Sequence, residues 1–371
     1  MRSLAERLNG LDDYGGNGVL ERLGETVDCL KQVEWNALGH FGIRYLLNYH
    51  LGNRLRLVEV LKQRPDIEQV AIERPLIITG LFRTGTTFLH NVLATDPANR
   101  VGRTWELAHP VGRTHDLLDD AKWRRWRGSH EVAMNHMMIP EQSEVHHVET
   151  DAYEEDFFLL ENDKAVMELA IGLGDFGYAT HMLGWDMVEP YRWHKRQLQL
   201  LWMQRSAKRW LLKCPWHLWH LDALLTVYPD ALIVQTHRTL PATIGSQCSL
   251  SARMASKFQR TLDLEEVGRF WVEYSQTGVE RGLRTRESFP NAKIHDVRLS
   301  DLEARPLETV REIYEVFGLP LSSDLETALR ARIEQSPTAQ LGEHEYDIAD
   351  YGLSETGIEG AFDGYRERFR V

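Results

Sequence analysis

PLIITGLFRTGTTFLHNVL, residues 75–93, reads as a strand, a tight glycine-flanked loop and the opening of a helix. The apolar run Leu76–Thr79 is short and unbroken, as a strand buried on both faces requires. The next eight residues, GLFRTGTT from Gly80 to Thr87, have the frame G-x-x-x-x-G-K-[ST] of a phosphate-binding loop, with Thr86 in place of the lysine. Gly80 and Gly85 permit the tight backbone path. The amides of Thr84 to Thr87 open the following helix toward an anion, and the Thr86 and Thr87 hydroxyls add donors. The cation that bridges the terminal phosphates of a nucleoside triphosphate is missing, and Arg83 brings a fixed charge inside the loop instead. The stretch therefore predicts binding of a phosphorylated nucleotide.

Three further apolar runs follow, Trp210–Lys213, Ala231–Thr236 and Ala292–Arg298, each succeeded by a turn and helix-like sequence. Strands alternating with helices predict an α/β fold with a P-loop-like central parallel sheet flanked by helices. Ligands in such sheets bind beyond the carboxyl ends of the strands. Arg238 stands at the carboxyl end of the Ala231–Thr236 run, and Ser246 lies two helical turns further on if a helix opens near Pro241. Together they could grip a second phosphate. Lys213 closes the Trp210–Lys213 strand and should face the same cleft.

Upstream, residues 24–63 carry apolar positions at helical spacing, read as two or three helices ended by Gln63-Arg64-Pro65-Asp66. Residues 1–70 are thus expected to form a helical extension packed on an α/β domain at 71–371, the latter one compact unit. Residues 153–173 and 191–209 also read as helical. LETVREIYEVF, residues 307–317, is a helix stopped by Gly318 and Pro320.

Composition narrows the function. The chain has 371 residues, 43% apolar and 26% charged, with net charge −12, so a broad nucleic-acid-binding face is not expected. Its three cysteines have no zinc-like or redox spacing. No stretch reads as a signal peptide or as a membrane span, which together with the cysteines points to the cytoplasm. His146-His147 could mimic metal-ligand spacing, yet neighbours on a helix point about 100° apart, so no metal site is expected there. The tryptophans between Trp185 and Trp219 read as core packing or as the wall of an apolar pocket.

R-T-G-T-T-F at Arg83–Phe88, combined with H-R-x(7)-S at His237–Ser246, resembles the sulfotransferases, enzymes that use 3′-phosphoadenosine 5′-phosphosulfate (PAPS) as donor. RTWELAHP, LLKCPWHLWHLDALLTVYPDA and DYGL are similar to blocks of a bacterial branch, and the likeness runs from about Pro75 to Gly352. The resemblance implies that Arg83, Thr84, Gly85, Thr86 and Thr87 hold the 5′-phosphosulfate, that Phe88 stacks on adenine, and that Arg238 and Ser246 hold the 3′-phosphate. Leu299 stands where an aromatic is common. An R-K-G-x-x-G element that closes the 3′-phosphate site in many members has no counterpart here. PAPS would be the co-substrate, leaving as 3′-phosphoadenosine 5′-phosphate (PAP).

Sulfuryl transfer also needs a base for the acceptor and cations beside the leaving phosphate. The cations expected are Arg83 and Lys213. Glu106, in Thr-Trp-Glu-Leu-Ala-His-Pro, is the first choice of base, with His147 next and His109, His146 and His217 as rivals. The tryptophans together with Met134, Met137 and Met138 suggest an apolar hydroxyl-bearing (or amine-bearing) small molecule as acceptor. A P-loop kinase or NTPase, and a nucleotide-binding protein without turnover, are the competing readings. A homo-oligomer is compatible with the sequence but is not written in it.

Overall fold

The computed structural model describes residues 2–113, 120–138, 148–335 and 346–371. Contacts divide the chain into two compact units. The first comprises residues 1–71, 102–205 and 251–262, and the second residues 72–101, 206–250 and 263–371.

The second unit holds a five-stranded sheet: β1 (Leu76–Gly80), β2 (Asn99–Arg100), β3 (Arg209–Lys213), β4 (Leu232–His237) and β5 (Lys293–Arg298). All neighbours pair in parallel, in the order β2-β3-β1-β4-β5. Every described residue of β1, β3 and β4 is buried, which explains their unbroken apolar texture. Leu76, Ile78, Leu211, Leu232 and Val234 pack with Leu89, Val92 and Leu93 of the helix Thr86–Leu93 and with Val310 and Ile313 of Pro306–Val316. Ile77, Leu212 and Ile233, on the opposite face by alternation, are as fully buried. The chain leaves β1 to one side for β2 and β3, then returns to pair β4 on β1's other edge. The topological switch point therefore lies between β1 and β4, beyond their carboxyl ends. The four strands expected from sequence are all present; β2, two residues long, was too short to leave a periodic signal.

The first unit is helical. Asn36 caps the helix Ala37–Gln63 by accepting the Gly39 N–H at 2.9 Å, and Pro65 follows its end. Leu57, Val58, Leu61, Ile67, Val111, Trp193 and Leu200 form one core cluster in it. Residues 153–173 do not make the single helix that the sequence suggests. A short helix, Phe157–Glu161, stops, Lys164 takes a left-handed φ of 72°, and a π-helical turn spans Glu168–Gly172. The helix expected over 191–209 runs Val188–Gln204; residues 205–208 form a connection and Arg209 opens β3.

The division into units also differs from the expected one. A boundary does fall at residue 71/72, but the helical unit takes in two stretches inserted between elements of the sheet unit. Insertions of this kind leave no linker composition to read.

Candidate active site

The loop after β1 is shaped by close approach. Gly80 has φ 149°, and a Cβ there would lie 2.5 Å from the Thr236 carbonyl of β4. Gly85 has φ 89°, and a Cβ would meet Leu299 Cδ1 at 2.6 Å. Neither position admits another residue without strain. Gly85 is the N-cap of Thr86–Leu93, and no side chain caps that helix, so its first turn is open to an external acceptor. Arg83 itself sits at φ 65°, a conformation that costs a non-glycine residue about 1–3 kcal/mol.

Hydrogen bonds hold Arg83 there. Its Nε donates to Ser246 Oγ at 3.1 Å, and Arg238 Nη1 donates to the Arg83 carbonyl at 3.1 Å. Beneath them, the Thr84 hydroxyl donates to Leu81 O at 2.7 Å. The Thr84 and Thr236 hydroxyls lie 2.6 Å apart, and Thr236 Oγ1 also reaches Thr79 O at 3.3 Å. Lys213 Nζ, at the end of β3, donates to Thr87 Oγ1 at 3.4 Å. The loop and the ends of β3 and β4 thus bring Arg83, Arg238 and Lys213 to the carboxyl end of the sheet's central strands in a chain of net charge −12. Cations gathered near an open helix N-terminus favour an anion. Thr86 is buried and Thr87 exposed, while Phe88 is partly buried against the sheet core.

Several supports were invisible in the sequence. His237, beside Arg238, is buried; its Nε2 lies 2.9 Å from Asp296 Oδ1 and its Nδ1 2.6 Å from the Tyr365 hydroxyl. Burial lowers the His237 pKa more than Asp296 raises it. Arg286 Nη1 donates to Asp296 Oδ2 at 3.0 Å. Burial tends to raise Asp296, but hydrogen bonds from His237 and Arg286 outweigh it and bring it down to about 2. Tyr346 lies against Gly245, where a Cβ would meet its ring at 2.4 Å, and its hydroxyl donates to Ala242 O at 3.2 Å. It therefore braces the helix that carries Ser246.

Part of the aromatic run is core, while Trp185 and Trp202 are half-buried. Trp210, Trp216 and Trp219 are fully buried, and the Trp216 and Trp219 indoles donate at 2.7 Å to Tyr274 Oη and Tyr274 O. Phe82, in the phosphate loop, packs on Trp219 and Trp271 with ring centroids 5.4 and 5.6 Å away.

Glu106 belongs to the helical unit, where its Oε2 accepts the Arg103 N–H at 3.0 Å in a capping box and lies 3.9 Å from Arg205. His109, also in that unit, pairs through Nε2 with Glu131 Oε2 at 2.7 Å, and burial lowers its pKa. His217 is buried in the turn Pro215–His220 after β3. His146 and His147 lie outside the described residues. Met137 is strongly exposed, Met134 and Met138 half-buried. No described helix is long and apolar enough to cross a membrane.

Comparison with known proteins agrees with this geometry. The profile described as "Sulfotransferase family" matches residues 75–323. The chain is 25% identical over 295 residues to the omega-hydroxy-beta-dihydromenaquinone-9 sulfotransferase Stf3 of Mycobacterium bovis, covering 76% of this chain and 72% of that protein. Sulfotransferase STF1 of Mycobacterium tuberculosis H37Rv superposes with TM-score 0.85 at 32% identity, over 98% of this chain and 97% of that one. STF9 of Mycobacterium avium gives TM-score 0.88 at 27% identity, over 100% and 96%. The matched stretch begins at the first residue of the β1–loop–helix segment and runs past β5, so the phosphate cradle is the part the likeness encloses, and the chain belongs to the sulfotransferase family.

Proposed function

We propose that this sulfotransferase takes its sulfuryl group from PAPS and delivers it to a hydroxyl (or amine) of an apolar small molecule. The observation that carries the donor assignment is the bond network joining Arg83, Ser246 and Arg238, since it couples a 5′-phosphate loop to two groups suited to a second phosphate. A nucleotide with phosphates at both ends matches that pair. The loop also lacks the lysine that a nucleoside triphosphate would require.

The residues fit the donor chemically. Thr84–Thr87 present backbone and hydroxyl donors, and Arg238 and Ser246 present a cation and a hydroxyl for the 3′-phosphate. Phe88 offers a ring for the adenine. When bound, PAPS supplies the activated sulfuryl group, and Arg83 and Lys213 offset the negative charge that develops on its phosphate side. Proton removal from the acceptor is assigned to Glu106, whose carboxylate the capping box holds in one orientation. His147 is the rival. Support for an apolar hydroxyl acceptor comes from the Stf3 relative, whose name places its reaction on an omega-hydroxy menaquinone.

The test is transfer of radiolabelled sulfate from PAPS to a panel of apolar alcohols, amines and polar sugars. Labelled product from apolar alcohols or amines, abolished in Arg83→Ala, supports the reading. Label passing only to sugars would refute the acceptor class, and binding of PAP with no transfer to any acceptor would refute the activity.

A further inference from the structure

The helical unit contains a buried cluster that sulfuryl transfer leaves unexplained. It is assembled by two uncommon backbone features, the left-handed Lys164 and the π-helical turn Glu168–Gly172. Features of both kinds are conformationally costly and concentrate at functional positions. Here they fold the chain back so that the Glu168 N–H donates to Glu161 Oε1 at 2.9 Å, with His50 of the helix Ala37–Gln63 facing the other carboxylate oxygen.

A chain of amides sets the tautomer of that histidine. Gln197 Nε2 donates to Leu159 O at 2.8 Å and to Trp193 O at 3.0 Å, which uses both of its amide hydrogens. Its carbonyl oxygen then accepts from Asn162 Nδ2 at 2.7 Å. Asn162 Oδ1 consequently faces His50 Nδ1 at 3.2 Å, and it also accepts from Asn53 Nδ2 at 3.1 Å. An oxygen at that position can only accept, so Nδ1 carries the proton and Nε2 keeps a lone pair.

That lone pair points at Glu161 Oε2, 3.3 Å away. Both atoms are buried and neither has a hydrogen-bond partner. Two acceptors this close repel unless something positive lies between them. Glu168 is the third member, since one ligand atom from each of His50, Glu161 and Glu168 lies within 4.8 Å of the others. Lys164 Nζ donates to Leu47 O at 3.2 Å, and no ion pair to Glu161 or Glu168 from a lysine or arginine is found among the described residues.

We propose that His50, Glu161 and Glu168 form a site for one divalent first-row transition-metal ion, of the zinc or manganese class. The 3.3 Å between His50 and Glu161 is close to the roughly 3.4 Å expected of two ligands each about 2.1 Å from a tetrahedral ion. One imidazole with two carboxylates suits such an ion better than magnesium or calcium, which take oxygen alone. The donation of His50 Nδ1–H to Asn162 is the outer arrangement that orients ligating histidines. Glu168 is the half-buried member. The ion would pin the Ala37–Gln63 helix to the strained turn. Ligands at positions 50, 161 and 168 share no local spacing, so sequence reading could not have found them. The site does not rest on the proposed donor or acceptor.

The test uses the full-length, tag-free chain, freed of metal by chelation and then titrated with Co²⁺ while visible absorption is followed. The expected result is one equivalent bound with ligand-field bands, displaced by Zn²⁺, and a rise in Tm on Zn²⁺ addition. Glu168→Gln should lose the bands, and Asn162→Ala should weaken binding about 10–100-fold without removing a ligand. No stoichiometric binding by the wild-type chain, or binding unchanged in Glu168→Gln, would overturn the proposal and leave a proton shared between Glu161 and His50. Should a variant fail to fold, the wild-type spectrum alone decides between these outcomes.

Discussion

Arg83 Nε donates to Ser246 Oγ across 3.1 Å, joining the loop after β1 to the helix after β4, although 163 residues separate them. The bond ties the Arg83 side chain, whose backbone sits at φ 65°, to the helix after β4. A strained cation held ready at an anion site is preorganised for charge that develops during reaction.

Arg83→Ala is therefore expected to lower kcat about 10²–10³-fold, in the range seen on deleting one charge-stabilising donor. Stability should change little or improve slightly, and Arg83→Gly should be at least as stable as wild type because glycine accepts positive φ freely. Steady-state kinetics and thermal denaturation of the same samples check both halves. Loss of activity in step with loss of fold would contradict the assignment.

Glu106→Gln separates two roles for one carboxylate. Glutamine can serve at the third position of a capping box, so the helix Thr104–Ala108 should persist and Tm should stay close to wild type. A general base would be lost, with kcat falling about 10²–10⁴-fold. Unchanged kcat in Glu106→Gln, with a fall in His147→Ala, would transfer the role to His147.

Gly85→Ala should destabilise by more than about 1 kcal/mol, since the residue needs φ 89° and a Cβ would meet Leu299 Cδ1 at 2.6 Å. Adding Leu299→Ala removes the clash but not the backbone strain. In a double-mutant cycle measured by denaturant melts, the second change should cost less in the Gly85→Ala background than alone. Strict additivity would show that the contact does not matter.

Acid sensitivity follows from His237 and Asp296. In the folded chain His237 lies below its ordinary 6.5 because burial disfavours the imidazolium. Asp296 is brought to about 2 from 3.8, burial being outweighed by His237 and Arg286. Both depressed values mean that the unfolded chain binds more protons, so the stability they contribute is complete above pH 6.5 and falls with pH. His237 acts first, below 6.5, and Asp296 between 3.8 and about 2. Asp296 keeps 38% side-chain exposure, so solvent screening makes its share small. His237→Phe, which can retain the stack on Phe369, should flatten the dependence of Tm between pH 6.5 and 4.5 relative to wild type. An unaltered slope would contradict this account.

The sheet was legible because β1, β3 and β4 are covered on both faces, which forces continuous apolar runs, and because Gly80 and Gly85 mark backbone paths no other residue can follow. Arg238 and Ser246 were legible by position after β4. What supports them was not. Asp296, Arg286, Tyr365 and Tyr346 come from distant sequence and are polar or aromatic residues of no special pattern. The tryptophans were readable as core or as a pocket wall, and those of β3 and the turn after it are buried. The helical unit was least legible: its insertions carry no linker signature, and the break at Lys164 defies a periodicity that runs through it.

A nucleotide gripped at both ends is tested most directly by calorimetric titration with PAP and with adenosine 5′-phosphate. The wild-type chain should bind PAP more tightly than the nucleotide lacking the 3′-phosphate, by at least about 10-fold for a charge-assisted contact. Arg238→Ala should abolish the difference by weakening PAP alone. Equal affinity for the two nucleotides in the wild-type chain, or a preference for PAP undiminished in Arg238→Ala, would contradict it.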